Sequence, residues 1–293
     1  KEMINFVPGI VPGIGMAMNC FTRKGDKVMI QPPVYHPFAW ITTRNERTLV
    51  TNPLKWENGM YRMDLDAFRE QIKGCKLFIL CNPHNPGGVV WREEELSAIA
   101  DICYDEKVLV FSDEIHADLT LPPHKHRPFA TISEKARMNS VTFMSPSKAF
   151  NMPGLSASHA IIFNEELQRQ FRTYIDAGEL DMGHVFAFLS VEAAYSHGTE
   201  WLDQCLAYIQ GNIDYVDEFL KFHTPKIKAI RPEASYLVWL DCRELGLTQE
   251  ALNDFFVDKA HLALNDGAMF GKEGTGFMRL NVASPRCILE KAM

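Results

Sequence analysis

Apolar and polar positions along the 293-residue chain fall into short, nearly continuous apolar runs separated by longer stretches with helical periodicity. Lys27-Val28-Met29-Ile30-Gln31, Lys76 to Cys81, Val108 to Ser112 and Ser140 to Met144 are too short for helices, as expected of strands buried on both faces. Between them, Asp64 to Lys73 and Arg92 to Glu106 repeat apolar residues at helical spacing, and a further helix through Met18, Cys20 and Phe21 carries Pro12 in its first turn. Strands alternating with helices predict βαβ units and an α/β domain with a mostly parallel central sheet, helices on both faces. Beyond Gly154 the pattern gives one more apolar run, His159 to Phe163, and then mainly helix from Glu165 to His223. Within that region Glu200 to Phe222 reads as one long helix, interrupted in pattern only at Gly211. From Lys226 the pattern changes to short strands, Tyr236 to Leu240 and Phe277 to Val282, around a helix at Gln249 to Lys259. The expected organisation is a large domain over residues 1–210 and a smaller C-terminal α+β domain over 211–293.

Each buried run ends on chemistry. The second of these runs leads into Asn82-Pro83-His84-Asn85-Pro86-Gly87-Gly88, the next into Asp113-Glu114-Ile115-His116, and the last into Ser145-Pro146-Ser147-Lys148-Ala149-Phe150-Asn151. Asn85 and Asp113 are 28 residues apart and Asp113 and Lys148 are 35 apart, each about one βαβ unit. An amide, a carboxylate and an amine are thus expected just outside the carboxyl ends of neighbouring strands, where open α/β sheets bind ligands. An isolated Ser-x-Ser-Lys fits a solvated lysine capping a strand. Here apolar residues precede Lys148, Phe150 follows it and Pro153-Gly154 bends the chain, which places the amine in a crevice where desolvation frees it as a Schiff-base nucleophile. Tyr35, just past Pro32-Pro33, either stacks on a planar ligand or fills a loop. The helix start at Ile10-Val11 behind Gly9 is either an anion seat or a tight turn into a core helix, and Gly13-x-Gly15 lacks the rest of a dinucleotide fingerprint.

Composition narrows the partners. A net charge of -7 with a pI near 5.8 speaks against nucleic acid or an anionic membrane as main partner, leaving a small-molecule ligand. The seven cysteines are scattered, with no C-x-x-C, as reduced cysteines of a cytoplasmic protein would be. The tight pair His124 and His126 sits in a proline-bounded loop, and no metal is expected there. No apolar run reaches the length of a membrane span, and the abrupt start at Lys1 suggests a fragment.

A Schiff-base lysine, a carboxylate, an asparagine, a stacking aromatic and an anion seat together describe a pyridoxal phosphate site. Through Asn82-Pro83-x-Asn85-Pro86-x-Gly88, Ser112-Asp113-Glu114-Ile115-His116, Ser145-x-Ser147-Lys148 and Phe277-x-Arg279-Leu280-Asn281, the chain resembles the fold-type I pyridoxal-phosphate enzymes, the aspartate aminotransferase superfamily. The resemblance spans nearly the whole chain and implies the pyridoxal-phosphate-dependent transferase fold. It implies that Lys148 carries pyridoxal 5'-phosphate and moves the Cα proton, that Asp113 pairs with the pyridine nitrogen, and that Asn85 donates to the ring O3'. It also implies that Tyr35 stacks on the ring as a third catalytic residue, that Ser145, Ser147 and the Ile10 and Val11 backbone hold the phosphate, and that Arg279 forks onto the substrate carboxylate.

Two departures narrow the branch. His116 stands where many aminotransferases have a tyrosine, and Ser156 where many have a phosphate-binding arginine. With Pro32-Pro33-Val34-Tyr35 and Arg279-Leu280-Asn281-Val282-Ala283-Ser284-Pro285-Arg286, they resemble the cystathionine β-lyase branch of the MalY/PatB type and imply that His116 joins the cofactor site. The implied activity is cleavage of a sulfur amino acid to pyruvate, ammonia and a thiol. An aminotransferase on the same site and a non-catalytic cofactor-binding regulatory module stay open. The resemblance further implies residues before Lys1 that include part of the substrate pocket. A homodimer is expected, because Asp181 to His197 is too apolar to face water entirely.

Overall fold

Apolar runs that must leave water on both faces are satisfied only between two layers of helix, and the chain builds such layers twice. In the computed structural model, which describes residues 2–293, strand β1 (Ile4–Val7) and helix α1 (Ile10–Phe21) precede β2 (Lys27–Ile30), α2 (Pro37–Arg44), β3 (Thr48–Thr51) and a hairpin of β4 (Lys55–Glu57) and β5 (Met60–Arg62). Helix α3 (Leu65–Gln71), β6 (Cys75–Cys81), α4 (Glu93–Asp105), β7 (Leu109–Asp113), α5 (Glu134–Met138), β8 (Ser140–Met144) and β9 (Ser158–Ile161) follow. Three helices, α6 (Glu165–Gly178), α7 (Val185–His197) and α8 (Thr199–His223), lead to β10 (Lys228–Ile230), β11 (Leu237–Asp241), α9 (Gln249–Asp254), β12 (Asn265–Asp266), β13 (Phe277–Asn281) and α10 (Arg286–Ala292).

The large sheet has the order β1-β9-β8-β7-β6-β2-β3. Strands β3, β2, β6, β7 and β8 run parallel, with β3 at one edge, whereas β9 and β1 pair antiparallel at the other. The expected α/β sheet is therefore present. The pattern did not disclose β1, β3 or the β4–β5 hairpin, since each is three or four residues long with partly exposed or mixed faces. Helix starts follow local chemistry: Asp64 accepts from the Ala67 N–H at 3.1 Å, and the Arg92 N–H donates to the Glu95 carboxylate at 2.9 Å, each satisfying an orphan donor of a first turn. Helix α8 runs through Gly211 unbroken, because Ile209, Ile213, Val216 and Leu220 pack on Val238, Leu240, Met278 and Leu280 of the small sheet.

The small sheet, ordered β10-β11-β13-β12 and antiparallel throughout, joins the large one through aromatic rings. Trp239 of β11 is buried, lies parallel to Phe277 with centroids 5.3 Å apart, meets Phe270 edge-on at 5.4 Å, and donates from Nε1 to the Tyr61 hydroxyl of the hairpin at 3.2 Å. Backbone closes the same seam. The Gly88 carbonyl accepts from the Glu233 and Ala234 N–H groups at 2.8 and 3.1 Å. Gly88 sits at φ 67°, and a Cβ there would stand 2.5 Å from Pro232, so both conformation and space call for glycine. Among the described residues, no helix is long and apolar enough to cross a membrane.

Trp239→Ala removes a fully packed indole and leaves the Tyr61 hydroxyl without its donor. It is expected to lower stability by roughly 3 to 5 kcal/mol, measured as a fall in the urea midpoint, whereas Trp239→Phe should recover most of the loss.

Candidate active site

The carboxyl ends of β6, β7 and β8 open onto a cavity of about 450 Å³ that the small domain covers from the other side. A cavity of this size suits a cofactor together with a small substrate. Asp113, the last residue of β7, is buried at its floor, with one carboxylate oxygen accepting from the Ile115 N–H at 3.1 Å. Burial pushes its carboxyl up from 3.8 to about 7; the Ile115 N–H opposes the rise, Glu114 adds to it, and Lys148 opposes it. Lys148, half-buried just past β8, is held below the ordinary lysine range by desolvation and by the Arg279 guanidinium, with Asp113 pulling the other way.

Asn85 is placed by the rigidity of its turn. His84 donates from Nε2 to the Pro33 carbonyl at 2.9 Å, and its Nδ1 accepts from the Gly87 N–H at 3.3 Å. Burial drives the imidazole down to about 3, so a neutral ring ties the turn after β6 to the turn after β2 that presents Tyr35. The Asn85 side-chain oxygen accepts from Arg279 Nη1 at 2.9 Å across the domain seam. Arg279 also donates from Nη2 to Asn265 at 2.8 Å and lies over the Phe270 ring at 4.6 Å. His116 is buried and lowered to about 3 by desolvation, with Lys148 and Arg279 adding to the effect. It is a neutral imidazole, edge-on to Tyr236 at 6.3 Å.

The anion seat expected at the start of α1 opens on the same cavity. The helix N-terminus follows Gly9 at φ 139° and has no side-chain cap, so the Ile10 and Val11 N–H groups point their partial positive charge at the cavity they line. Ser147 faces the same space. Ser145 does not line it. Its buried hydroxyl donates to the Ala157 carbonyl at 2.7 Å and accepts from the Ser147 N–H at 3.1 Å, so it shapes the turn from behind. Of the ten residues singled out from the sequence, the other nine share the cavity. Ser156 is exposed at φ 49° after Pro153–Leu155 and is not part of the lining.

Sequence reasoning missed His36, Cys81, Tyr236 and Asn281, which also line the cavity. His36 could have been found from its place beside Tyr35. Tyr236 and Asn281 carry no such signal, because an antiparallel sheet has no carboxyl edge common to all strands.

The lining has the donors and acceptors that pyridoxal 5'-phosphate needs: an uncapped helix start and a serine for phosphate, an amide for the ring oxygen, a buried acid for the pyridine nitrogen, and an amine for the aldehyde. Three buried nitrogens of residues lining the cavity, His36 Nδ1, His116 Nδ1 and Arg279 Nε, lack a partner among the described residues, which is the state of a polar site built for a ligand.

Residues 1–289 match the sequence profile of the aminotransferase class I and II family. The chain is 41% identical over 295 residues to cystathionine β-lyase PatB of Bacillus subtilis, covering 100% of this chain and 76% of that protein. It superposes on cystalysin of Treponema denticola, whose structure contains pyridoxal 5'-phosphate, with a TM-score of 0.96 and 34% identity, covering 99% of this chain and 74% of the other. The pyridoxal-phosphate-bound C-S lyase of Staphylococcus hominis matches with a TM-score of 0.91 and 33% identity, covering 100% and 75%.

Two outcomes are expected of these groups. Borohydride treatment of protein reconstituted with pyridoxal phosphate should fix label on Lys148 and on no other lysine, read by peptide mass spectrometry, and Lys148→Ala should take up none. In cofactor-free protein, the raised carboxyl of Asp113 favours the neutral acid, so the stability it contributes is complete below about pH 4 and is lost as pH rises through about 7. Asp113→Asn should therefore be the more stable protein at pH 8, by ~2 to 4 kcal/mol, with the gap closing toward pH 4. Urea midpoints across that range measure it; a gap that widens in acid would contradict the assignment.

Proposed function

Because the chain belongs to the class I and II aminotransferase family, we propose that it is a pyridoxal-phosphate-dependent carbon-sulfur lyase cleaving a cystathionine-like amino acid to pyruvate, ammonia and a thiol. The observation that carries the proposal is the convergence of Lys148, Asp113, Asn85 and Arg279 on one cavity, in a chain whose relatives named above are lyases of this kind.

Lys148 would hold the cofactor through its amine, and Asp113 its ring nitrogen. Asn85 would hold the ring oxygen, Tyr35 the ring face, and Ser147 with the start of α1 the phosphate. Bound there, pyridoxal phosphate supplies an electron sink conjugated to the substrate Cα. Arg279, already aligned by Asn85, Asn265 and Phe270, accepts the substrate carboxylate in bidentate fashion. That anchor turns the Cα–H bond toward Lys148. The amine, made easier to deprotonate by desolvation and by Arg279, takes the Cα proton as general base. Thiolate is a stable leaving group, so a substrate carrying sulfur on Cβ loses it once the Cα proton has gone. The buried Asp113, acidic only when it faces a cation, matches its charge to a protonated ring nitrogen. An aminotransferase would use the same residues and return the proton elsewhere.

A dimer fits the exposed apolar face of α7, where Val185, Phe186, Phe188 and Leu189 meet solvent. Seven free cysteines fit a reducing compartment such as the cytoplasm.

Given L-cystathionine and no keto acid, the pyridoxal-phosphate-loaded enzyme should release pyruvate and thiol continuously, followed by a coupled dehydrogenase assay and a thiol reagent. Activity that halts after one turnover per site and resumes on adding 2-oxoglutarate would decide for the aminotransferase.

A further inference from the structure

Behind the cofactor-facing side of the sheet lies a second buried carboxylate that the reaction described above does not use. Ser112 and Glu114 flank Asp113, so strand alternation turns them to the opposite face. Glu114 is about 1% exposed, yet among the described residues it forms no pair with lysine or arginine. One carboxylate oxygen accepts from the Ser112 hydroxyl at 2.7 Å and from the Phe129 N–H at 2.9 Å; the other faces His126 Nε2 at 2.7 Å. All three partners can donate, as a buried carboxylate requires. His126 has no partner for Nδ1 among the described residues, and it is a proton on Nε2 that satisfies Glu114.

The grip reaches both cofactor-facing residues. The Glu114 N–H donates to the Phe143 carbonyl of β8 at 2.9 Å, and the Asn82 N–H donates to the Asp113 carbonyl at 2.9 Å. The segment that Glu114 anchors, His126 to Phe129, presents the Arg127 carbonyl to the Asn82 side-chain amide at 3.2 Å, and Asn82 opens the turn that carries Asn85.

We propose that Glu114, held by His126, is a positioning residue that acts on the cofactor through Asp113, supplying a second buried negative charge behind it and fixing the strand end from which it projects. The proposal rests on the pyridoxal-phosphate reading of the cavity. Glu114 is one of the two charged neighbours acting on Asp113, raising its carboxyl while Lys148 lowers it. Two negative charges in tandem, only one of them able to touch the ring, hold a proton at the pyridine nitrogen more firmly than Asp113 alone.

A double-mutant cycle tests this. Glu114→Gln keeps an oxygen for Ser112 and Phe129, turns an amide N–H toward His126 Nε2, which then accepts, and removes the charge. In the Asp113 parent it should weaken pyridoxal phosphate binding by the apo protein, measured by tryptophan fluorescence quenching, about tenfold, within the range of couplings between contacting residues. It should also lower the pH at which the absorbance of the bound cofactor changes. In the Asp113→Asn background the same substitution should change affinity less than twofold. His126→Ala should follow the same two-background pattern, and His126→Gln, which can donate to the same oxygen, should restore affinity. Equal losses in both backgrounds, or no loss in the parent, would overturn the proposal and leave a merely structural role. If Glu114→Gln does not fold, the His126 pair decides by the same comparison. Failure of the parent to bind pyridoxal phosphate at all would instead refute the cofactor reading, a result the binding titration separates from the others.

Discussion

Asp113 sets the terms for the rest of the structure. A carboxyl group about 3% exposed, at the end of a strand buried on both faces and with one backbone N–H as its recorded hydrogen-bond donor, is an expense to the empty fold, and its raised titration expresses that cost. Within the protein, Lys148 acts against that rise without cancelling it. A cationic ligand in the cavity would let the acid ionise, so binding it would also relieve the fold. Sites that keep such unmet charge trade stability for function, and the parallel strands β6, β7 and β8, with their continuous apolar faces, supply the packing that tolerates it.

The second constraint is the seam between the sheets. Arg279 donates to Asn85 across 194 residues of chain, and neither residue would be aligned without the ring contacts of Trp239, Phe270 and Phe277 or the Gly88 backbone bonds to Glu233 and Ala234. Arg279 stands on the small sheet, and Asp113 and Lys148 at strand ends of the large one. Their separation is therefore a property of the seam more than of either sheet, and displacements there register at the site as changes in substrate anchoring.

The parallel core and its chemistry were legible because they share a rule: in a parallel sheet every strand delivers its end to the same edge, so spacing alone brings Asn85, Asp113 and Lys148 together. Arg279 came from family resemblance, since β13 is antiparallel to its neighbours and spacing says nothing about where its side chains point. Short edge elements were invisible for a different reason. Strand β1 and the β4–β5 hairpin gain their order from partners distant in sequence, Ile161 for Ile4 and Trp239 for Tyr61, and leave no periodic trace of their own. Ser145 shows the limit of motif transfer: the serine falls in the right turn, but its hydroxyl is committed to Ala157 and Ser147 and faces away from the cavity.

Charge is distributed across the cavity in a way that orients an amino acid. The acid Asp113 lies at the floor, the guanidinium of Arg279 hangs from the small domain, and two imidazoles driven down to about 3, His84 and His116, lie in or beside the space as neutral groups. A neutral histidine between two charges preserves their polarity, whereas a protonated one would offer the substrate carboxylate a second, misplaced anchor. Under the function proposed above, an amino acid entering this field would place its carboxylate on Arg279, because that is the cation whose bonding nitrogens are fixed by two amide oxygens and a ring face. Its Cα then lies on the side of Lys148, whose amine is itself disposed toward neutrality by the same guanidinium. Under that reading one arginine would perform two tasks, holding the substrate and favouring the neutral base, which would tie the orientation of the Cα–H bond to the readiness of the group that removes its proton.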